Sequence, residues 1–428
     1  MPHHLPRLQT CLVFVAITFL SDGIATSQVI FTNDFEDDPL GQYSRANLNA
    51  DWMSPSSSNG VDEGRVTIVN EEFGKALRVE YPEGLFGSAD DRTGGQWRMI
   101  LDQGYEAVEV EYRIKFEDGF DFVRGGKLPG LAGGAGNSGG SRPNGSDGFS
   151  ARMHWRTNGS SGSPLGSSQT DRANITQYVY HPDQTTNGGI NGDDLDWDDG
   201  PSGVWRVFES GRWYHLRHRI VMNTPGVNGG QGQHDGVVQA WLDGVQVLDV
   251  DNIRFRDVAS LQIDQFFFST FFGGGSAIWA TSKDEFAYFD DFRITALGQL
   301  GDFDFDGIVN LVDLDRYIGN IGASPTGALQ DLDLDSDGDI DANDMIQHYT
   351  QLVETSNGGI GTFAGDLNLD GTVDVLADAF ALIGNLGNSA ASWAQGDING
   401  DEAVTVLADA FALIANLGSS NSGSSSTP

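Results

Sequence analysis

Cysteine is nearly absent from this chain of 428 residues. Its single thiol, Cys11, lies close to the N-terminus, so a disulfide framework is excluded. Cations are scarce as well: 24 Lys and Arg stand against 61 Asp and Glu, a formal net charge of −37. That balance excludes nucleic-acid binding through a general basic field; a polyanionic ligand would need a local cationic site inside an acidic molecule. Proline numbers 13 against 57 glycines, and aromatics make up 10%, a composition of many turns between strands rather than of a helical bundle. Long apolar runs are missing too. The run from Cys11 to Leu20 is about half of the roughly 20 residues needed to cross a bilayer, so no membrane span is expected.

What is present divides the chain. Residues 1–27 read as a secretory signal peptide: His3, His4 and Arg7 precede the apolar run, and Ala25 and Ser27 are small residues at −3 and −1 for cleavage before Gln28. A secreted, extracytoplasmic protein is expected. Residues 28–298 hold nearly all the Trp, Arg and Lys in short alternating runs. EAVEVEYRIKFE (106–117), DGVVQAWLDGVQVLDV (235–250) and FAYFDDFRI (286–294) predict strands of an all-β jelly-roll sandwich. From Gly301 on, 21 acidic residues accompany one basic residue, Arg316. Here GDLNLDGTVDVLADAFALIGNLG (365–387) recurs as GDINGDEAVTVLADAFALIANLG (396–418), and an earlier pair begins at Asp302 and Asp333. These predict two repeat pairs, 301–352 and 360–418, each repeat a loop plus a helix, followed by a disordered tail at 419–428.

The acidic loops have calcium spacing. A 12-residue calcium loop places oxygens at positions 1, 3, 5, 7, 9 and 12, with Gly at 6 for the sharp turn. The first repeat supplies Asp302, Asp304, Asp306, the Ile308 carbonyl, Asn310 and Asp313, with Gly307. The second supplies Asp333, Asp335, Asp337, the Asp339 carbonyl, Asp341 and Asp344, with Gly338. The third keeps Asp366, Asn368, Asp370, Thr372 and Asp374, but Ala377 holds position 12 and Asp378 comes one step late. The fourth keeps Asp397, Asn399 and Asp401, with Glu402 in place of Gly and Ala408 at position 12. Asp at position 12 before an apolar helix resembles the type I dockerin. That resemblance implies structural calcium and docking onto a cohesin-type partner.

In the β region three segments stand out: FVRGGKLPGLAGG (122–134), FSARMHW (149–155) and QYVYHP (177–182). As a strand, FSARMHW puts Phe149, Ala151, Met153 and Trp155 on one face and Ser150, Arg152, His154 and the following Arg156 on the other. Tyr178 and Tyr180 share a face, and Lys127 sits in what reads as a Gly/Pro-framed loop. GGKLPGL, S-x-R and Y-x-Y in this order resemble the alginate-lyase family classed as polysaccharide lyase family 14, over roughly residues 100–295.

The resemblance implies β-elimination on an anionic polysaccharide, a 4-linked polyuronate. Such chemistry needs the substrate carboxylate neutralised, a base for the C5 proton and an acid for O4. Arg152 suits the first task, because its fork pairs with a carboxylate and keeps its charge, and no metal is then required for catalysis. The resemblance implies Lys127 as base. Tyr178 or Tyr180 donates the proton to O4, or one of them is the base instead. Ser150 orients substrate or Lys127. Arg124, His154, His215 and Arg217 are candidates for contacting neighbouring sugar units.

Two other functions stay open on sequence alone. A glycoside hydrolase needs paired carboxylates, but no strand shows an E-x-D-x-x-E pattern, and DDLDWDD (193–199) reads as a loop. A carbohydrate-binding protein would stack sugars on Trp155, Trp205, Trp213 or Trp241. Finally, DFEDD (34–38) and YFDDF (288–292) would meet if the first and last strands pair, so that Asp34 or Glu36 with Asp290 or Asp291 could hold a structural calcium.

Overall fold

The computed structural model describes residues 26–55, 58–87, 93–157, 171–198, 206–298, 300–335 and 337–421. Residues 1–25 of the expected signal peptide, Trp205 and most of the expected tail lie outside the described residues.

In chain order the strands begin β1 (Thr26–Asn33), β2 (Gly41–Gln42), β3 (Ser58–Asn59), β4 (Val66–Glu71), β5 (Gly74–Tyr81) and β6 (Gly95–Tyr105). There follow β7 (Ala107–Phe116), β8 (Gly125–Gly134), β9 (Gly148–Arg156), β10 (Arg172–Tyr180), β11 (Asp193–Asp196) and β12 (Val207–Glu209). The last are β13 (Trp213–Val221), β14 (Gly236–Leu242), β15 (Val245–Ile253), β16 (Ile263–Phe272) and β17 (Glu285–Gly298). They form two antiparallel sheets. One runs β15-β14-β13-β7-β17-β5-β4-β2, with β1 also on β17. The other runs β11-β10-β9-β8-β16-β6-β3, with β12 on β10.

The first sheet follows the period of two. Along β7 the residues alternate between buried (Val108, Val110, Tyr112, Ile114, Phe116) and half-buried (Glu109, Glu111, Arg113, Lys115), so one face packs and the other meets water. The run 235–250 folds as the β14–β15 hairpin. Its turn is Asp243-Gly244, both at positive φ, the conformation that matches strand twist.

The second sheet departs from this rule. In β9 every residue from Gly148 to Trp155 is buried, and in β10 every residue from Ala173 to Tyr180. One face of these strands packs on the core. The other lies against the segment 134–147, where Ser150 Oγ donates to the Asn137 carbonyl at 2.6 Å and the Gly140 N–H donates to Tyr180 Oη at 3.2 Å.

Both inner faces meet in one aromatic core. Trp52, at the C-terminal end of the helix Arg45–Asp51, inserts its fully buried ring between the sheets. It stacks on Phe266 at 5.7 Å and meets Trp97, Phe268 and Phe292 edge-on. β1 pairs with β17, Asn33 opposite Phe292, so the chain's first and last sandwich strands are neighbours.

A second core begins at Phe303. Leu314, Tyr317, Met345, Tyr349, Leu382, Trp393 and Leu413 pack together there, around helices Leu311–Ile318, Ala342–Gln351, Phe380–Asn385 and Phe411–Asn416. Gln103 of β6 donates to the Asp304 carbonyl at 2.5 Å, tying the first acidic loop to the sandwich. No helix among the described residues is long and apolar enough to cross a membrane.

Removing the Trp52 ring leaves a void that both sheets line. Trp52→Ala is expected to cost about 3–5 kcal/mol in urea unfolding; a loss below about 1 kcal/mol would show that the ring is not the keystone of this core.

Candidate active site

Lys127 lies within β8 and not in a loop. Glycine and proline make this strand workable. A Cβ on Gly126 would overlap the Trp155 ring, and one on Gly130 would overlap the Ala151 carbonyl, so only glycine lets β8 approach β9 this closely. Pro129 falls at a bulge between Leu128 and Gly130, where the ladder asks for no N–H.

Register then lines up the side chains. Lys127 pairs with His154, and His154 with Thr176; Gly130 pairs with Arg152, Arg152 with Tyr178, and Tyr178 with Asp194. Because neighbours two apart share a face, Ser150, Arg152, His154, Tyr178 and Tyr180 converge beside Lys127 on the covered side of the sheet. Lys127 Nζ sits 4.4 Å from the centre of the Tyr178 ring. Tyr178 and Tyr180 meet edge-to-face with their hydroxyls 3.2 Å apart. Arg152 is buried; Nη1 donates to Ser269 Oγ at 3.1 Å, its guanidinium lies 4.6 Å from the Phe267 ring centre, and Nε has no partner.

Burial and like charge separate the proton affinities. Burial, then the charges of Arg156 and Arg152, hold the Lys127 ammonium well below the ordinary lysine range, with Asp194 acting in the opposite direction. Burial pushes the Tyr178 phenol well above its usual value, and Tyr180 adds to the rise. Burial lowers Arg152 to about 10, which leaves it charged at neutral pH. A depressed amine, an elevated phenol and a fixed cation thus share one face of the sheet, the kinds of group that proton transfer beside an anion requires.

The sequence profile of Polysaccharide lyase 14 matches residues 69–292. The chain belongs to the polysaccharide lyase 14 family. It is a polysaccharide lyase, and its catalytic sandwich is the two-sheet body described above. Similar solved structures include alginate lyase Aly36B, at 27% identity over 63% of this chain and 97% of that one, with a TM-score of 0.49. The marine alginate lyase of Aplysia kurodai is 23% identical over 62% of this chain and 98% of its own, TM-score 0.48. Alginate lyase vAL-1 from Chlorella virus is 22% identical over 59% and 97%, TM-score 0.46. No curated protein matches.

Several expected roles need correction in this lyase. His215 and Arg217 lie on β13, in the other sheet and on its outer face, as the period-two pattern of WYHLRHRIV requires. His215 pairs with Glu111 at 3.1 Å, and Arg217 covers the Trp241 ring at 4.1 Å. Trp213 is on that outer face as well, whereas Trp155 is a core residue. Arg124 is half-buried in the turn before β8. Ser150 is fully buried and spends its hydroxyl on Asn137. The segment read as an acidic loop is in part strand β11, and it carries Asp194 into the groove. Asp194 was the omission, and it joins Arg156, which was expected on the polar face of the strand: Asp194 meets His154 Nδ1 at 3.0 Å and Arg156 at 3.4 Å. The acidic ends of the sandwich do approach, since Asp34 and Glu36 help raise Asp290 to about 7, though burial is the larger cause. Glu36 is spent on the Lys75 backbone.

In the acidic repeats, Asp302, Asp304 and Asp306 bring their carboxylate oxygens within 4.8 Å of one another. So do Asp333, Asp335 and Asp344, and Asp339, Asp341 and Asp344. The position-12 residues also close the loops: Asp313 accepts from the N–H of Phe303 and Asn310, and Asp344 from Leu334 and Asp341. Asp378 does the same for Leu367 and Asp374, and Asp409 for Ile398 and Thr405. The one-residue lateness in the last two repeats is absorbed by a π-helical turn at Val375–Ala379 and Val406–Ala410. Glu402 takes the loop glycine's place at φ 61, where Gly371 has φ 85.

Because β13 faces away from the groove, His215→Ala and Arg217→Ala should leave kcat and KM close to the parent's. A large fall in kcat or a large rise in KM would return them to the site.

Proposed function

We propose that the chain is a secreted lyase that cleaves a 4-linked polyuronate by β-elimination, with alginate the leading substrate and glucuronan next. One observation carries the reading: Arg152, Tyr178 and Tyr180 are buried beside half-buried Lys127 on one face of β8, β9 and β10, in a protein whose net charge is −37. A cationic pocket in such a molecule is costly, and it makes sense where a sugar carboxylate must be neutralised.

Arg152 pairs with the uronate carboxylate and lowers the acidity barrier at C5. Lys127, whose ammonium is held well below the ordinary lysine range, takes the C5 proton. Tyr178, held protonated by burial, gives its proton to O4 as the C4–O4 bond breaks. The product end carries a C4–C5 double bond. Tyr180 holds the Tyr178 hydroxyl in place. Alginate is favoured because the motifs GGKLPGL, S-x-R and Y-x-Y resemble a family of alginate lyases.

The acidic repeats fit structural calcium in their donor set. Burial and neighbouring carboxylates raise Asp302 to about 7, the strain of a crowded site that a divalent cation relieves. Asp302, Asp304, Asp306, the Ile308 carbonyl, Asn310 and Asp313 would hold the first ion, and the second loop would use its equivalents. Asp378 and Asp409 complete the third and fourth sets. Each of the last two repeats also exposes the same apolar side chains, Leu376, Phe380 and Ile383 in one and Leu407, Phe411 and Ile414 in the other. Such paired patches favour a docking role, with a cohesin-type partner as the class that the resemblance implies. The separate core from Phe303 onward supports a domain division near residue 299.

Lys127→Ala should keep the parent's melting temperature and lose roughly 10²–10⁴-fold in turnover, read as ultraviolet absorbance of the unsaturated product; near-parental turnover refutes the base assignment. Chelation should melt the helices of 301–421 while the sandwich keeps its near-ultraviolet signal. Helical circular dichroism unchanged by chelator contradicts the calcium reading.

A further inference from the structure

His154 has no duty in the scheme above, yet it is a fully enclosed polar group beside Lys127 and Tyr178. Its ring is fully buried and stacks on Tyr178 at 3.8 Å. Nδ1 lies 3.0 Å from Asp194 Oδ1, and Nε2 is shut from solvent with no hydrogen-bond partner among the described residues. A buried ring nitrogen without a partner is costly unless some state of the site uses it. The carboxylate at Nδ1 decides the tautomer: the ring proton stays on Nδ1, and Nε2 presents a bare lone pair. Directly across the β8–β9 ladder stands Lys127, and side chains paired in this way have Cβ atoms about 4.5–5.5 Å apart.

We propose that Asp194, His154 and Lys127 form a relay of positioning groups, in which the Nε2 lone pair of neutral His154 receives a hydrogen bond from the Lys127 ammonium formed when C5 is deprotonated. This rests on the reading of Lys127 as the base. The C5–H bond breaks and an N–H bond forms on Lys127. The electron pair becomes the C4–C5 double bond as O4 departs with the Tyr178 proton. The new ammonium faces Arg152 and Arg156 from β9, Tyr178 and Tyr180 from β10, and Asp194 from β11; across the β16 side the neighbours are Phe271 and Gly273, which carry no charge. Two guanidinium groups oppose the incoming charge. The imidazole acceptor, with the Asp194 carboxylate behind it, is the group placed to offset them. Burial and the charges of Lys127, Arg156 and Arg152 hold His154 neutral, so it accepts and does not compete as a cation.

The test compares pH–rate profiles of the full chain carrying His154→Phe, His154→Gln or Asp194→Asn, with product absorbance as readout. Phenylalanine keeps the stack on Tyr178 and deletes the lone pair; glutamine restores an acceptor. With the acceptor or the carboxylate gone, the ammonium is less favoured. The rising limb of kcat/KM should then move to lower pH by roughly one unit. His154→Phe and Asp194→Asn should also lower kcat by about tenfold or more with KM near the parent's, and His154→Gln should recover part of the loss. An unmoved limb overturns the relay. So does a raised KM at unchanged kcat, which would make His154 a substrate contact, or a glutamine variant no better than phenylalanine. Failure of the base reading is seen separately: Lys127→Ala would then stay active, whatever the His154 variants do.

Discussion

Burial of cations that cannot move apart, with their mutual repulsion added to it, sets the electrostatics of this face of the sheet. Lys127, Arg152 and Arg156 are fixed on two adjacent strands by the β8–β9 ladder, with Asp194 the carboxylate that bears on them. In water such a cluster would relax; held by the sheet it does not. The cost is met by the aromatic core behind the sheet, where Trp52, Trp97, Phe266 and Phe268 stack. One consequence is a lysine that gives up its proton easily. The other is a pocket whose most favourable occupant is an anion.

The C-terminal repeats have the opposite sign and the same logic. There carboxylates are crowded in loops whose backbone N–H groups are aimed at Asp313, Asp344, Asp378 and Asp409. Crowded carboxylates favour a cation as crowded cations favour an anion. The two regions touch through Gln103 and the first loop, where Glu106, paired with Arg256, lies against Gly307.

Much of the sandwich was legible because alternation is a local signal: the runs at 106–117, 235–250 and 286–294 are strands with the expected faces. The groove was legible where its residues share a strand, as Ser150, Arg152 and His154 do, or come two apart, as Tyr178 and Tyr180 do. It was opaque where cross-strand register decides. WYHLRHRIV has the right residue types for a sugar acid, but nothing in its own pattern tells which of two sheets it joins. DDLDWDD reads as a loop by composition, and only its pairing with β10 makes Asp194 a partner of His154. Lys127 looked loop-borne because glycine and proline usually break strands; here they permit one strand to lie unusually close to another. The late Asp378 of the third repeat was visible, but its counterpart Asp409 and the π-turn that corrects the phase of both were not.

The most direct test of the charge-quenching claim sets a polyuronate against its methyl ester, using the parent and Arg152→Gln. Esterification removes the negative charge that Arg152 is held to neutralise. The variant should therefore lose far more turnover on the free acid than on the ester, with its melting curve reported beside both rates. An equal loss on the two substrates would contradict the account.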